Sequence, residues 1–109
     1  LLDKSCDILY QLAQSPLLWD NRIAIVSTYA FIRKGQLEDT YALSDLMMQH
    51  PHDLMHKAIG WMLREAGKRD SERLYDYVMS HRADMPRTML RYAIEKFSPK
   101  ERAILMKRV

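Results

Sequence analysis

Lys57, Trp61, Arg64 and Lys68 follow one another at steps of four, three and four. On an α-helix that spacing sets three cations and an indole in one stripe. Met55, Ile59, Met62 and Ala66 fall on the opposite side of the same helix. A helix with one buried face normally keeps its tryptophan within that face. Here the indole stands among cations instead, an arrangement suited to gripping a phosphate backbone with a flat group beside it. The bland alternative makes Trp61 a core residue and Arg64 a solvated side chain, paired with Glu65 or Asp20.

Other reactive residue types offer less. His52 and His56 are four apart, a spacing that some zinc sites use. No third ligand is evident and His50 precedes a proline, so they read as surface histidines near an apolar edge, and no metal is expected. Cys6 has only Lys4 as a nearby activating group and reads as inert. A single cysteine excludes an internal disulfide framework and fits a reducing compartment; a cytoplasmic location is expected. There is no Gly-rich phosphate loop. No apolar run is long enough to span a membrane, and no secretory pattern is present. The net charge of +3 and pI near 9.1 permit a nucleic-acid partner without requiring one.

The elements that must carry the stripe all read as helix. The 109 residues suit one domain, residues 1–109, and the apolar fraction of 48% is ordinary for a folded chain. Strand alternation and Asn-Gly or Asp-Gly hairpin signals are absent. The apolar spacing predicts helices over residues 3–14, 17–34, 37–49, 52–68, 70–81, 86–97 and 99–108. Pro16, Pro51 and Pro86 recur every 35 residues, each where a helix should begin. At the same offset Trp19, Leu54 and Met89 correspond, as do Ile23, Ala58 and Ala93, and Ala24, Ile59 and Ile94. These are helix pairs that stack into a short α-solenoid, with the last helix as a cap. A compact bundle without a repeat is the competing reading.

The repeat places Arg22 and Lys57 at equivalent positions, with Tyr92 in the third unit and Arg91 beside it. Arg22, Val26, Tyr29 and Arg33 form a second stripe. A cationic ridge is therefore expected from unit to unit, following a duplex backbone without reading sequence. Trp19 reads as core and receives no functional role. At most one of Tyr75 and Tyr77 is expected in the core. The eight methionines, Met47 and Met48 among them, read as packing.

Two segments carry a resemblance. Leu18-Trp19-Asp20-Asn21-Arg22-Ile23-Ala24-Ile25 resembles the Leu-Trp-x-x-Arg-x-Ala-Ile element of the HEAT-like-repeat (AlkD-like) DNA alkylation-repair glycosylases. Lys57-Ala-Ile-Gly-Trp-Met-Leu-Arg-Glu65 is similar to the Lys-Ala-Ile-Gly-Trp-x-Leu-Arg-Glu element of that family. Together they cover about Leu17 to Lys96 and resemble the C-terminal part of such an enzyme. The chain is accordingly expected to be part of a longer protein that includes an N-terminal half.

The resemblance implies an all-α, HEAT-like solenoid that binds duplex DNA on a basic concave face. It implies excision of positively charged alkylated purines by hydrolysis of the N-glycosidic bond, with no metal or organic cofactor. Trp61, Arg64 and Arg22 would lie against the DNA near the lesion. Lys57, Lys68 and Arg33 would meet its backbone. The family's catalytic Asp belongs to an upstream Trp-x-x-x-Asp helix. Here Trp19 is followed four residues on by Ile23 and Trp61 by Glu65, and Asp3 and Asp7 have no Trp nearby. No catalytic residue is therefore expected in this chain, and the isolated chain should bind duplex DNA weakly without excising bases. Asn21 stands where many relatives carry a second Arg.

The chemistry of the intact enzyme is reasonable on physical grounds. A cationic purine is a good leaving group, and its departure leaves an oxocarbenium-like sugar that a carboxylate can stabilise. An indole face adds cation–π attraction of about 0.5–2 kcal/mol. Two other readings predict different surfaces. A protein-binding helical scaffold without enzymatic activity calls for an exposed apolar patch. A relative that lost excision calls for replacement of the upstream acid. Self-association through an uncovered N-terminal face is a further expectation.

Overall fold

The computed structural model describes the backbone of residues 2–107 and side chains from Asp7 onward. The readings of Cys6, Asp3 and Lys4 lie outside the described side chains. Eight helices follow in order: α1 Leu2–Ala13, α2 Leu18–Ser27, α3 Tyr29–Arg33, α4 Glu38–Met47, α5 Asp53–Arg69, α6 Ser71–His81, α7 Arg87–Ala93 and α8 Pro99–Met106. Among the described residues there is no strand.

The helices form two layers. α5 touches α2, α3 and α7 within the inner layer and α4 and α6 beneath it; α1 packs on α2 and α4, and α8 on α6. The 18 Å short dimension suits two stacked helices. α1/α2 and α4/α5 pack as the repeat predicts, whereas α6 packs on α5 and α8 and α7 on α5; the all-helical arrangement is consistent with the expected helical repeat. Met55, Ile59, Met62, Leu63 and Ala66 of α5 are fully buried, as the stripe analysis requires. Ala24, Ile59 and Ile94, the third set of repeat equivalents, are all core. Met47, Met48, Met85 and Met89 are buried as well.

Three expectations need correction. The helix expected over 17–34 breaks at Thr28. Its hydroxyl donates to Ile25 O at 2.6 Å and its N–H bonds the same carbonyl at 3.1 Å, tightening one turn and splitting α2 from α3. The helix expected over 86–97 stops at Ala93. The chain must be extended at Ser98, which precedes Pro99 and forms a capping box with Glu101 for α8. Trp19 is not core: it is 68% exposed, and so is much of Leu54, whereas Met89 is buried. Pro16 and Pro51 precede the helix caps Leu17 and His52, while Pro86 is itself the cap of α7. Tyr75 and Tyr77 are both half-buried against the core and neither is among its buried residues, in keeping with the expectation of at most one core tyrosine. Tyr75 meets Phe97 edge-on and Tyr77 packs on Tyr41.

Helix ends are tied by side chains from the inner layer. Gly35, with φ of +82°, takes the left-handed position after α3. Its N–H and that of Gln36 bond Ile32 O and Phe31 O, a Schellman closure. Arg69, at the end of α5, donates from Nε to Ile32 O at 3.0 Å and from Nη2 to Arg33 O. A cation thus meets the negative end of α3. Between α4 and α6, Arg73 lies over the Tyr41 ring and Tyr77 stacks on His81. Burial pushes the Tyr41 phenol up to about 12.

Candidate nucleic-acid interface

Helix α5 begins at His52, whose Nδ1 accepts from Leu54 N–H at 3.2 Å, and it runs without a break to Arg69. This length lets one helix present Lys57, Trp61, Arg64 and Lys68 across the middle of the inner layer. Trp61 is 37% exposed, so the indole is neither core nor free. Its neighbour Gly60 is buried because α7 crosses there: a Cβ on Gly60 would stand 2.6 Å from Met89 O and 2.6 Å from Tyr92 Cβ. The glycine lets α7 approach, and that approach brings the exposed Tyr92 up beside α5.

The cations of the stripe are escorted by carboxylates. Lys57 Nζ lies 3.7 Å from Asp53, and Lys68 Nζ 3.1 Å from Glu65. Arg64 is held twice, Nη1 at 3.0 Å from Glu95 and Nε at 3.7 Å from Glu65. Its side chain is only 19% exposed, so of the two bland alternatives, solvated or salt-bridged, the structure shows the salt-bridged one. Glu65 is the partner foreseen, whereas Asp20 is engaged by the Ser15 hydroxyl at 2.8 Å. Those pairs that reach solvent, of Lys57, Lys68 and Glu95, are worth about 0–1 kcal/mol and yield to a competing anion, whereas Arg64 and Glu65 are largely buried against each other.

Arg22 sits in a shallow groove of about 260 Å³ with Trp19, Ile23, Val26 and Ser27. Arg33 is exposed at the end of α3. Among the described residues neither side chain has an ion-pair partner. The cations expected to form the ridge lie on α2, α3 and α5, and those of α5 have Asp53, Glu65 and Glu95 beside them. The i, i+4 and i, i+3 spacing of Asp53–Lys57 and Glu65–Lys68 made two of these pairs legible; Glu95, in the turn after α7, was not.

Asn21 has a structural task. Its Nδ2 donates to Leu12 O, Ala13 O and Ser15 O at 2.9–3.1 Å, closing the end of α1. Its Oδ1 accepts from His50 Nε2 at 3.0 Å, while His50 Nδ1 accepts from His52 N–H at 3.0 Å. Both bonds need the neutral ring protonated on Nε2. Burial, then the charges of His56 and His52, hold the His50 pKa below the usual histidine value. His56 Nε2 bonds the His50 carbonyl, so the two α5 histidines serve the turn between α4 and α5. Among the described residues no cluster of side chains could hold a metal ion.

The family model described as DNA alkylation repair enzyme matches residues 2–97, which span α1 to α7 and every residue of the stripe. No curated protein and no solved structure matches the chain. No described helix is long and apolar enough to cross a membrane. With the match running through both layers, this chain belongs to the DNA alkylation repair enzyme family.

Proposed function

We propose that the exposed face of α2, α3 and α5 binds duplex DNA as part of a glycosylase that excises positively charged alkylated purines. The observation that carries this reading is the half-exposed Trp61 flanked by Lys57, Arg64 and Lys68 on one unbroken helix. In this reading Trp61, Arg64 and Arg22 lie nearest the lesion, and Lys57, Lys68 and Arg33 meet phosphates. Phosphate contacts fix register and carry no base identity. Trp61 offers a π-face to the cationic base or sugar. No cofactor or metal is required, since the charged purine leaves readily once a carboxylate stabilises the sugar cation.

The described carboxylates beside the stripe are engaged with cations: Asp53 with Lys57, Glu65 with Lys68, Glu95 with Arg64. We therefore assign the role of stabilising acid to none of these three, and expect this chain alone to hold DNA without cutting the glycosidic bond. Incubation with duplex containing N7-methylguanine, followed by quantification of the free base, tests the assignment. The expected result is no release above the spontaneous rate; release that depends on the chain would place the acid within it.

A second surface supports self-association. Leu17, Trp19 and Ile23 expose apolar area along one edge of α2, next to the Arg22 groove. Contiguous apolar surface of this kind favours a partner. Sedimentation at increasing concentration is expected to show dimers that Trp19→Ser weakens. A monomer at every concentration counts against this reading.

A further inference from the structure

Where α5, α6 and α7 meet, a cleft of about 220 Å³ opens beside the stripe. Arg64, Lys68, Lys96 and the Ser71 hydroxyl surround it, over a floor that includes Leu74 and Phe97. Leu74 is buried and Phe97 half-buried. Pockets for whole organic ligands run to about 300–1,000 Å³, so this one suits a single group and not a complete molecule. Three cations converge on it. Among the described residues Lys96 has no ion-pair partner. Arg64 Nε is buried with no hydrogen-bond acceptor, and its Nη1 is held from the rim by Glu95. Because Arg64 and Lys68 belong to both, the cleft is continuous with the α5 stripe.

We infer that this cleft seats one backbone phosphate of a bound DNA strand between Arg64, Lys68 and Lys96, and that Glu95 holds Arg64 in its place in the free protein. The inference rests on the DNA-binding reading above. A guanidinium fork accepts a carboxylate and a phosphate in the same geometry, so one can replace the other without moving Arg64 far. Glu95 is half-exposed, and its pair with Arg64 reaches solvent, so releasing it costs little. The apolar floor lowers the local dielectric beneath the phosphate and strengthens its attraction to the three cations. Lys96 thereby joins the interface, a residue outside both motif segments.

The test is anisotropy of a labelled duplex titrated at low salt with the full chain and with K96Q, E95Q, R64Q and the E95Q/R64Q pair. Matching helical circular dichroism verifies that each variant folds. K96Q is expected to weaken binding and E95Q to tighten it, each by about two- to fivefold. The E95Q gain should vanish when Arg64 is already Gln. A gain that persists in the R64Q background would reduce Glu95 to generic charge and overturn the inference. Unchanged binding by K96Q would overturn it as well. If the wild type and every variant fail to bind, the DNA-binding reading itself falls, and the seat with it.

Discussion

Gly60→Ala perturbs a place on α5 where an added side-chain atom would meet backbone. The added methyl would stand 2.6 Å from Met89 O and 2.6 Å from Tyr92 Cβ. The first obstacle is backbone and the second is the root of a side chain, so no rotamer change relieves either contact. Overpacking of a filled core costs about 1–3 kcal/mol, and a backbone obstacle belongs in the upper part of that range. Alanine recovers about 1 kcal/mol through its better helix propensity. The net loss is about 1–2 kcal/mol, a drop in Tm of roughly 5–15 °C for a domain of this size. Gly67→Ala is the control, because the nearest atom there is the Leu74 Cδ2 methyl, the far end of a flexible side chain. Thermal melts followed at 222 nm should rank wild type first, Gly67→Ala next and Gly60→Ala last. A Gly60→Ala melt at or above the wild-type value would refute the argument that α7 needs this glycine to approach α5.

Other outcomes follow from single residues. Asn21→Ala leaves carbonyls at the end of α1 without their donor and should cost about 1–3 kcal/mol in urea titration. An unchanged midpoint would remove Asn21 from its capping task. Trp19→Ala should move stability by no more than about 0.5 kcal/mol, as expected of an exposed side chain; a large loss would return Trp19 to the core. His50 is held neutral when folded, so its pKa lies below the unfolded value. Its contribution is present above pH 6.5 and is lost as pH falls from there through the lowered folded pKa. His50→Gln should therefore show a smaller fall in Tm between pH 7.5 and pH 5 than the wild type, and an equal fall would dismiss His50 as the source.

The helical class and the pairing of helices were legible because apolar residues recur at 3.6-residue spacing and prolines mark the starts of α2, α5 and α7. Met55, Ile59, Met62 and Ala66 could be placed in the core on spacing alone. Trp19 could not. Its spacing matches that of a buried residue, but burial depends on a neighbour, and among the described residues no helix covers Trp19. The break at Thr28 also escaped, since a Thr hydroxyl bonding its own helix leaves no pattern in the sequence. At the candidate interface the cations were legible and their restraint was only partly so. Asp53 and Glu65 lie one turn from their partners. Glu95 reaches Arg64 from the turn after α7, and Asn21 reaches His50 across 29 residues. Such contacts are set by how helices cross, which local periodicity does not encode.

The most direct measurement of the central claim is duplex binding by this chain across a salt series, read by fluorescence anisotropy, with Trp61→Ala and Arg64→Ala measured alongside. Binding at low salt that weakens steadily as salt rises, and weakens further in both variants, is the predicted result. Absence of binding at low salt, or binding that neither substitution disturbs, would contradict a DNA interface on α5.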